Sequence, residues 1–117
     1  MDRVNFLTID TGDDLVLSFS FDDNTKYGVD GFGIQRSPKY EFVLEKYERG
    51  PSIEWTDDDV IILLREFSYD RNTVEIIYDG GKEQFDISKI HEKEFERMIV
   101  VLKKMNFDNA FRLIKKI

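Results

Sequence analysis

The chain has 117 residues, a formal net charge of −7 and no cysteine; 41% of its residues are hydrophobic and 14% aromatic. That length and apolar content support one hydrophobic core and exclude a disordered segment. The absence of cysteine excludes disulfide or thiolate-metal support. Residues 1–117 are therefore expected to form a single domain.

Val4 to Ile9 reads as extended, and Leu15, Leu17, Phe19 and Phe21 alternate with Val16, Ser18 and Ser20, the period of a half-buried strand. The turn-forming run Asp10-Thr11-Gly12-Asp13-Asp14 between them predicts a hairpin. Gly28, Gly31 and Gly33 lead into a third strand, Phe32-Gly33-Ile34-Gln35-Arg36, which Pro38 ends. These glycines read as a loop and bulge. Their order is not that of a dinucleotide-binding turn, and no helix follows on which a phosphate could rest.

Tyr40, Phe42 and Leu44 alternate with Glu41, Val43 and Glu45, and Gly50-Pro51 separates them from Ile53-Glu54-Trp55, which predicts two short strands joined by a turn. The apolar run Val60-Ile61-Ile62-Leu63-Leu64, with three β-branched residues and followed by Phe67-Ser68-Tyr69, predicts the central strand of the sheet. Thr73 to Tyr78 and Glu83 to Ile87 flank Asp79-Gly80-Gly81, whose glycines supply the positive φ of a tight hairpin. From Glu92 the period changes. Phe95, Met98, Ile99, Leu102 and Met105 fall on one side of a helix, which Asn106 stops. Asp108 is expected to cap a short terminal helix carrying Phe111, Ile114 and Ile117. The fold class is thus α+β: an antiparallel β-sheet of about six strands, then one long C-terminal helix and a short terminal helix. Its core is expected to join Leu17, Phe19, Ile62, Leu64, Ile76, Phe95, Ile99 and Leu102.

The sequence carries little that points to catalysis. It has one histidine, His91, at the helix entrance, where it reads as a helix-start residue; no cysteine nucleophile and no G-x-S-x-G elbow are present. With 24 acidic residues, no carboxylate pair is singled out for acid–base work. The acidic turns at Asp10 to Asp14 and Asp22 to Asp30 lack calcium-loop spacing, so no metal or other cofactor is expected. Residues 1–88 hold 9 basic and 20 acidic side chains, whereas residues 89–117 hold 8 and 4. An acidic body repels phosphate backbones, so nucleic acid is not an expected partner. The chain shows neither a signal-type start nor an apolar stretch of membrane-spanning length, and a cytoplasmic location is expected.

The one concentrated surface signal is Glu54-Trp55-Thr56-Asp57-Asp58-Asp59, the only tryptophan followed closely by three consecutive aspartates. A tryptophan can anchor an interface and carboxylates steer a basic partner, so Glu54, Trp55, Asp57, Asp58 and Asp59 form the candidate partner-binding set; the competing reading is a core tryptophan beside a solvated turn.

Gly33-Ile34-Gln35-Arg36-Ser37, then Ile53-Glu54-Trp55-Thr56-Asp57, then the strand-turn-strand from Phe67 to Ile87 closing on the Phe95 helix resemble the small immunity proteins of bacterial polymorphic-toxin systems. The resemblance covers about residues 30 to 105. It implies an acidic, cytoplasmic protein without enzymatic activity that binds and neutralises a cognate toxin. The expected function is therefore that of a non-catalytic binding protein occluding a basic protein partner. The alternatives are a scaffolding module acting through self-association and, with least support, a small enzyme.

Overall fold

The computed structural model describes residues 1–21, 31–54 and 61–116. Strands β1 (Asp2–Thr11), β2 (Leu15–Phe21) and β3 (Gly31–Arg36) form an antiparallel meander, to which the two-residue β4 (Ser52–Ile53) adds along β3. A second antiparallel group comprises β5 (Leu64–Tyr69), β6 (Thr73–Tyr78) and β7 (Gly81–Asp86). Helix α1 (Glu92–Met105) follows, and β8 (Arg112–Lys115) closes the order β4-β3-β2-β1-β7-β6-β5-β8. Two neighbour pairs in this eight-stranded sheet are parallel, β1 with β7 and β5 with β8.

The sheet curls until its β4 edge meets the residues leading into β5. Ser52 bridges Leu63, the Ile53 N–H donates to the Ile62 carbonyl at 2.8 Å, and the Leu64 N–H donates to the Pro51 carbonyl at 2.9 Å. The inner face therefore wraps a ring of aromatic side chains. Phe19 of β2 lies 5.6 Å from Phe85, 6.4 Å from Phe67 and 6.5 Å from Phe32, centroid to centroid, so β3, β5 and β7 all pack on one residue. Such pairs add about 0.5–1.5 kcal/mol each beyond the area they bury.

The sequence periods account for these elements. Leu15, Leu17 and Phe19 alternate inward and are buried, as are Phe32, Ile34 and Arg36 on β3. Gly31 and Gly33 lie opposite Ser20 and Ser18 in continuous register, so the expected bulge is not formed there; Gly28 lies outside the described residues. In the β6–β7 hairpin only Gly80 takes a positive φ, 87°. Gly81 serves differently: a Cβ there would sit 2.6 Å from the Tyr78 ring, which passes over it to let the Tyr78 hydroxyl donate to Glu83 Oε1 at 3.0 Å.

Helix α1 buries Met98, Val101, Leu102 and Met105 against the first meander. His91 is its N-cap: Nδ1 accepts from the Lys93 N–H at 3.1 Å, completing a capping box with Glu94. The second oxygen of Glu94 accepts the Leu7 N–H at 2.8 Å, tying the first turn to β1. Among the described residues, no helix is long and apolar enough to cross a membrane.

Among the described residues the sheet has eight strands with two parallel pairs, not about six antiparallel ones, and four further expectations require correction. Residues 40–45 are not a strand, because Pro38–Val43 forms a 3₁₀ helix with proline in its first turn, where the missing N–H is harmless. Val60 lies outside the described residues, and of the run expected as the central strand only Leu64 is in β5, which β8 places second from the edge rather than in the middle. No terminal helix forms, because Asn109 turns the chain at a φ of 57°, a conformation asparagine tolerates, and Arg112–Lys115 joins β5 as a strand. Those four residues add a strand in which Arg112 meets an acidic side chain, lying 3.4 Å from Glu66. Lastly, Ile62, Phe95 and Ile99 pack on the core only partly buried, whereas Leu17, Phe19, Leu64, Ile76 and Leu102 are buried within it.

This packing distinguishes two phenylalanines of equal size. Phe19→Ala should cost about 3–5 kcal/mol in urea unfolding, the range for a fully buried ring. Phe95→Ala should cost less, because its ring, packed edge-on to Tyr69 at 6.0 Å and beneath Arg71, stays partly in solvent. Equal losses would contradict the assignment of Phe19 as the centre.

Candidate functional site

The feature that organises one end of the molecule is the side chain of Arg36, which is 2% exposed. A guanidinium has five N–H donors, and all five are used. Nε donates to Glu41 Oε2 at 2.9 Å and Nη2 to Glu41 Oε1 at 3.0 Å. Nη1 and Nη2 donate to the two oxygens of Asp108 at 2.8 and 2.7 Å, and Nη1 also donates to the Met105 carbonyl at 2.6 Å. The Phe107 ring covers the group, 4.2 Å from Cζ to centroid.

Each partner has a reason to be there. Met105 ends α1, where the last carbonyls have no partner within the helix and the dipole favours a cation. Glu41 lies five residues from Arg36; an extended chain would carry it about 16 Å away, and the 3₁₀ turn brings it back into a bidentate pair. Burial by itself lowers the pKa of Arg36, but the bonds to Asp108 and Glu41 outweigh it and the group stays charged. Arg36 in turn holds the Asp108 carboxyl below its ordinary value.

The cluster fixes the inner side of residues 38–48, and the outer side is apolar. Tyr40 is 55% exposed, Phe42 75%, Val43 72% and Tyr47 76%, the last on a second 3₁₀ turn, Lys46–Glu48. Tyr40, Val43 and Ile61 line one hollow of about 310 Å³ together with Glu48, Ser52 and Glu54. A neighbouring hollow of about 490 Å³ is lined by Tyr47, Glu48, Ile61, Leu63, Arg65 and Asp79, so Glu48 and Ile61 join the two into one face. Arg65 and Asp79 there form a bidentate pair at 2.7 and 3.0 Å that lowers the Asp79 pKa.

Of the candidate set from the sequence, Glu54 lies on this face, accepting the Ser52 hydroxyl at 2.8 Å while its own N–H donates to the Gly33 carbonyl at 2.8 Å. Trp55, Asp57, Asp58 and Asp59 lie outside the described residues. The sequence reading missed Tyr40, Phe42, Val43 and Tyr47, since alternation assigned them to a strand. The available local signals were Pro38 at the start of the stretch and the adjacent apolar pair Phe42-Val43, which interrupts the alternation of a half-buried strand. Among the described residues, no three His, Asp or Glu side chains converge as a metal site. No family model, curated protein or solved structure matches the chain.

Removing the buried cation tests the cluster. Arg36→Met should cost about 3–5 kcal/mol at pH 7, because it leaves buried acceptors without a donor. For Asp108, whose folded pKa is depressed, the pairing contributes fully above about pH 3.9 and is lost as pH falls through the lower folded value. The deficit of the variant should therefore shrink in acid, as measured by urea unfolding between neutral pH and pH 3; a deficit independent of pH would contradict the ionic origin.

Proposed function

We propose that this chain is a non-catalytic binding protein that docks a basic protein partner on the face formed by Tyr40, Val43, Tyr47 and Ile61, and that it acts by occlusion, as an immunity protein does toward its toxin. The observation that carries this reading is the cluster of large apolar side chains standing in solvent on a segment fixed from within by Arg36. A scattered exposed apolar residue is ordinary, but a contiguous group marks an interaction surface, and tyrosine is a favoured anchor in such surfaces. The acidic balance of residues 1–88 and the carboxylates Glu48 and Glu54 at the rim support a basic partner. By sequence, Trp55 and Asp57 to Asp59 span the connection from Glu54 to Ile61, both of which line the first hollow. In this reading Trp55 anchors the complex and the aspartates steer the encounter.

A partner isolated from the native host and then purified provides the assay. Tyr40→Ala, Tyr47→Ala and Trp55→Ala should each speed dissociation, the strongest by at least about 2 kcal/mol in affinity. Neutralising Asp57, Asp58 and Asp59 together should slow association and flatten its salt dependence. Unchanged rate constants in variants whose circular dichroism matches the parent would reject this face. A self-associating scaffold would show itself differently, as a concentration-dependent shift in size-exclusion elution that Tyr47→Ala abolishes.

A further inference from the structure

The hollow of about 310 Å³ beside the 38–43 turn has a character of its own. Its volume is at the lower end for ligand sites, which span about 300–1,000 Å³, so it suits one long side chain better than a cofactor. Tyr40, Val43 and Ile61 offer apolar walls, while Glu48 and Glu54 bring carboxylates. Three of the lining side-chain donors are already committed. Arg36 is saturated, Ser37 donates to Asp14 at 2.7 Å, and Ser52 donates to Glu54 at 2.8 Å. The buried group of Arg36, Glu41 and Asp108 carries one more negative charge than positive, so Arg36 offers an anion neither charge nor a free donor. Nearby Lys39 is drawn to Asp13, 3.6 Å away, and among the described residues neither Glu48 nor Glu54 is in an ion pair.

We infer that this hollow receives an arginine side chain presented by the partner, its stem against Tyr40, Val43 and Ile61 and its guanidinium on Glu48 and Glu54. Arginine fits because its planar fork matches a carboxylate and is weakly hydrated, so it loses less than lysine on leaving water. The inference rests on the docking face proposed above, and it supplies a reason for the basic character of the partner.

Amide NMR of the full chain, titrated with Nα-acetyl-arginine amide, reads the hollow without any partner. The expected result is saturable movement of the Tyr40, Val43, Gly50 and Ile61 amides with a dissociation constant on the order of 1 mM, as suits so small a ligand. The neutral isostere Nα-acetyl-citrulline amide should bind about tenfold more weakly, and the Glu48→Gln/Glu54→Gln double variant should lose a similar factor for the arginine probe. Equal movement by both probes, full affinity in the folded double variant, or shifts confined to other residues would overturn the inference. The citrulline comparison uses the parent protein and does not depend on the variant folding. If arginine amide enters the hollow while Tyr47→Ala leaves partner binding intact, the docking face fails and the hollow stands; the converse pattern removes the hollow alone.

Discussion

A guanidinium withdrawn from water is tolerated only when every donor finds an acceptor and its charge is met, and Arg36 fulfils both conditions with groups drawn from three separate parts of the chain. Its backbone belongs to β3, Glu41 to the following 3₁₀ turn, and Met105 and Asp108 to the end of α1 and the residues beyond. The helix is thereby fixed at both ends, by Glu94 on the Leu7 N–H and by Arg36 on the Met105 carbonyl. A hydrophobic plug of similar volume could hold these parts together as strongly, but not with a set direction. The five bonds dictate where residues 38–43 turn, and so which of their side chains face water.

That directionality links the interior to the surface. Glu41 points in, is 9% exposed and is also approached by the Gly50 N–H at 3.3 Å, while Tyr40, Phe42 and Val43 around it point out. Ordering an exposed loop at the moment of binding costs conformational entropy. A segment already pinned by a saturated ion cluster avoids most of that cost, so its tyrosines are presented in place. On the docking face proposed above, the carboxylates Glu48 and Glu54 would add a preference in charge to a surface that is otherwise largely apolar.

Local pattern made much of the fold legible. The β1–β2 and β6–β7 hairpins, strand β3 and the span of α1 follow from alternation, turn residues and a 3.6-residue period acting within a few neighbours. What stayed hidden was decided at a distance. Residues 40–45 alternate nearly well enough for a strand, and the demand of Arg36 for Glu41 favours the helical turn that Pro38 opens. Residues 111–117 have helical spacing, yet Asp108 is taken up by Arg36, Asn109 redirects the chain, and a parallel ladder along β5 absorbs Arg112–Lys115. Of the residues now on the candidate face, only Glu54 stood out in sequence, because the exposure of Tyr40 and Tyr47 follows from a tertiary ion cluster with little local signature.

The seam between the two meanders bears on how the chain reaches this state. The ladder joining them is only two residue pairs long, Asp2 with Phe85 and Arg3 with Asp86, so few backbone bonds hold one half to the other there. The ends of that ladder are more than eighty residues apart in sequence, and each hairpin is local. Closing so long a loop must be offset by contacts that appear only once both halves are built. Hairpins form within microseconds, whereas pairings between remote segments are slow. In topological terms the contacts of Phe19 with Phe67 and Phe85 are the non-local ones that joining the two half-sheets requires, and the hairpins are the local ones. A chain in which one half formed without the other would expose these phenylalanines, the condition under which aggregation competes with folding.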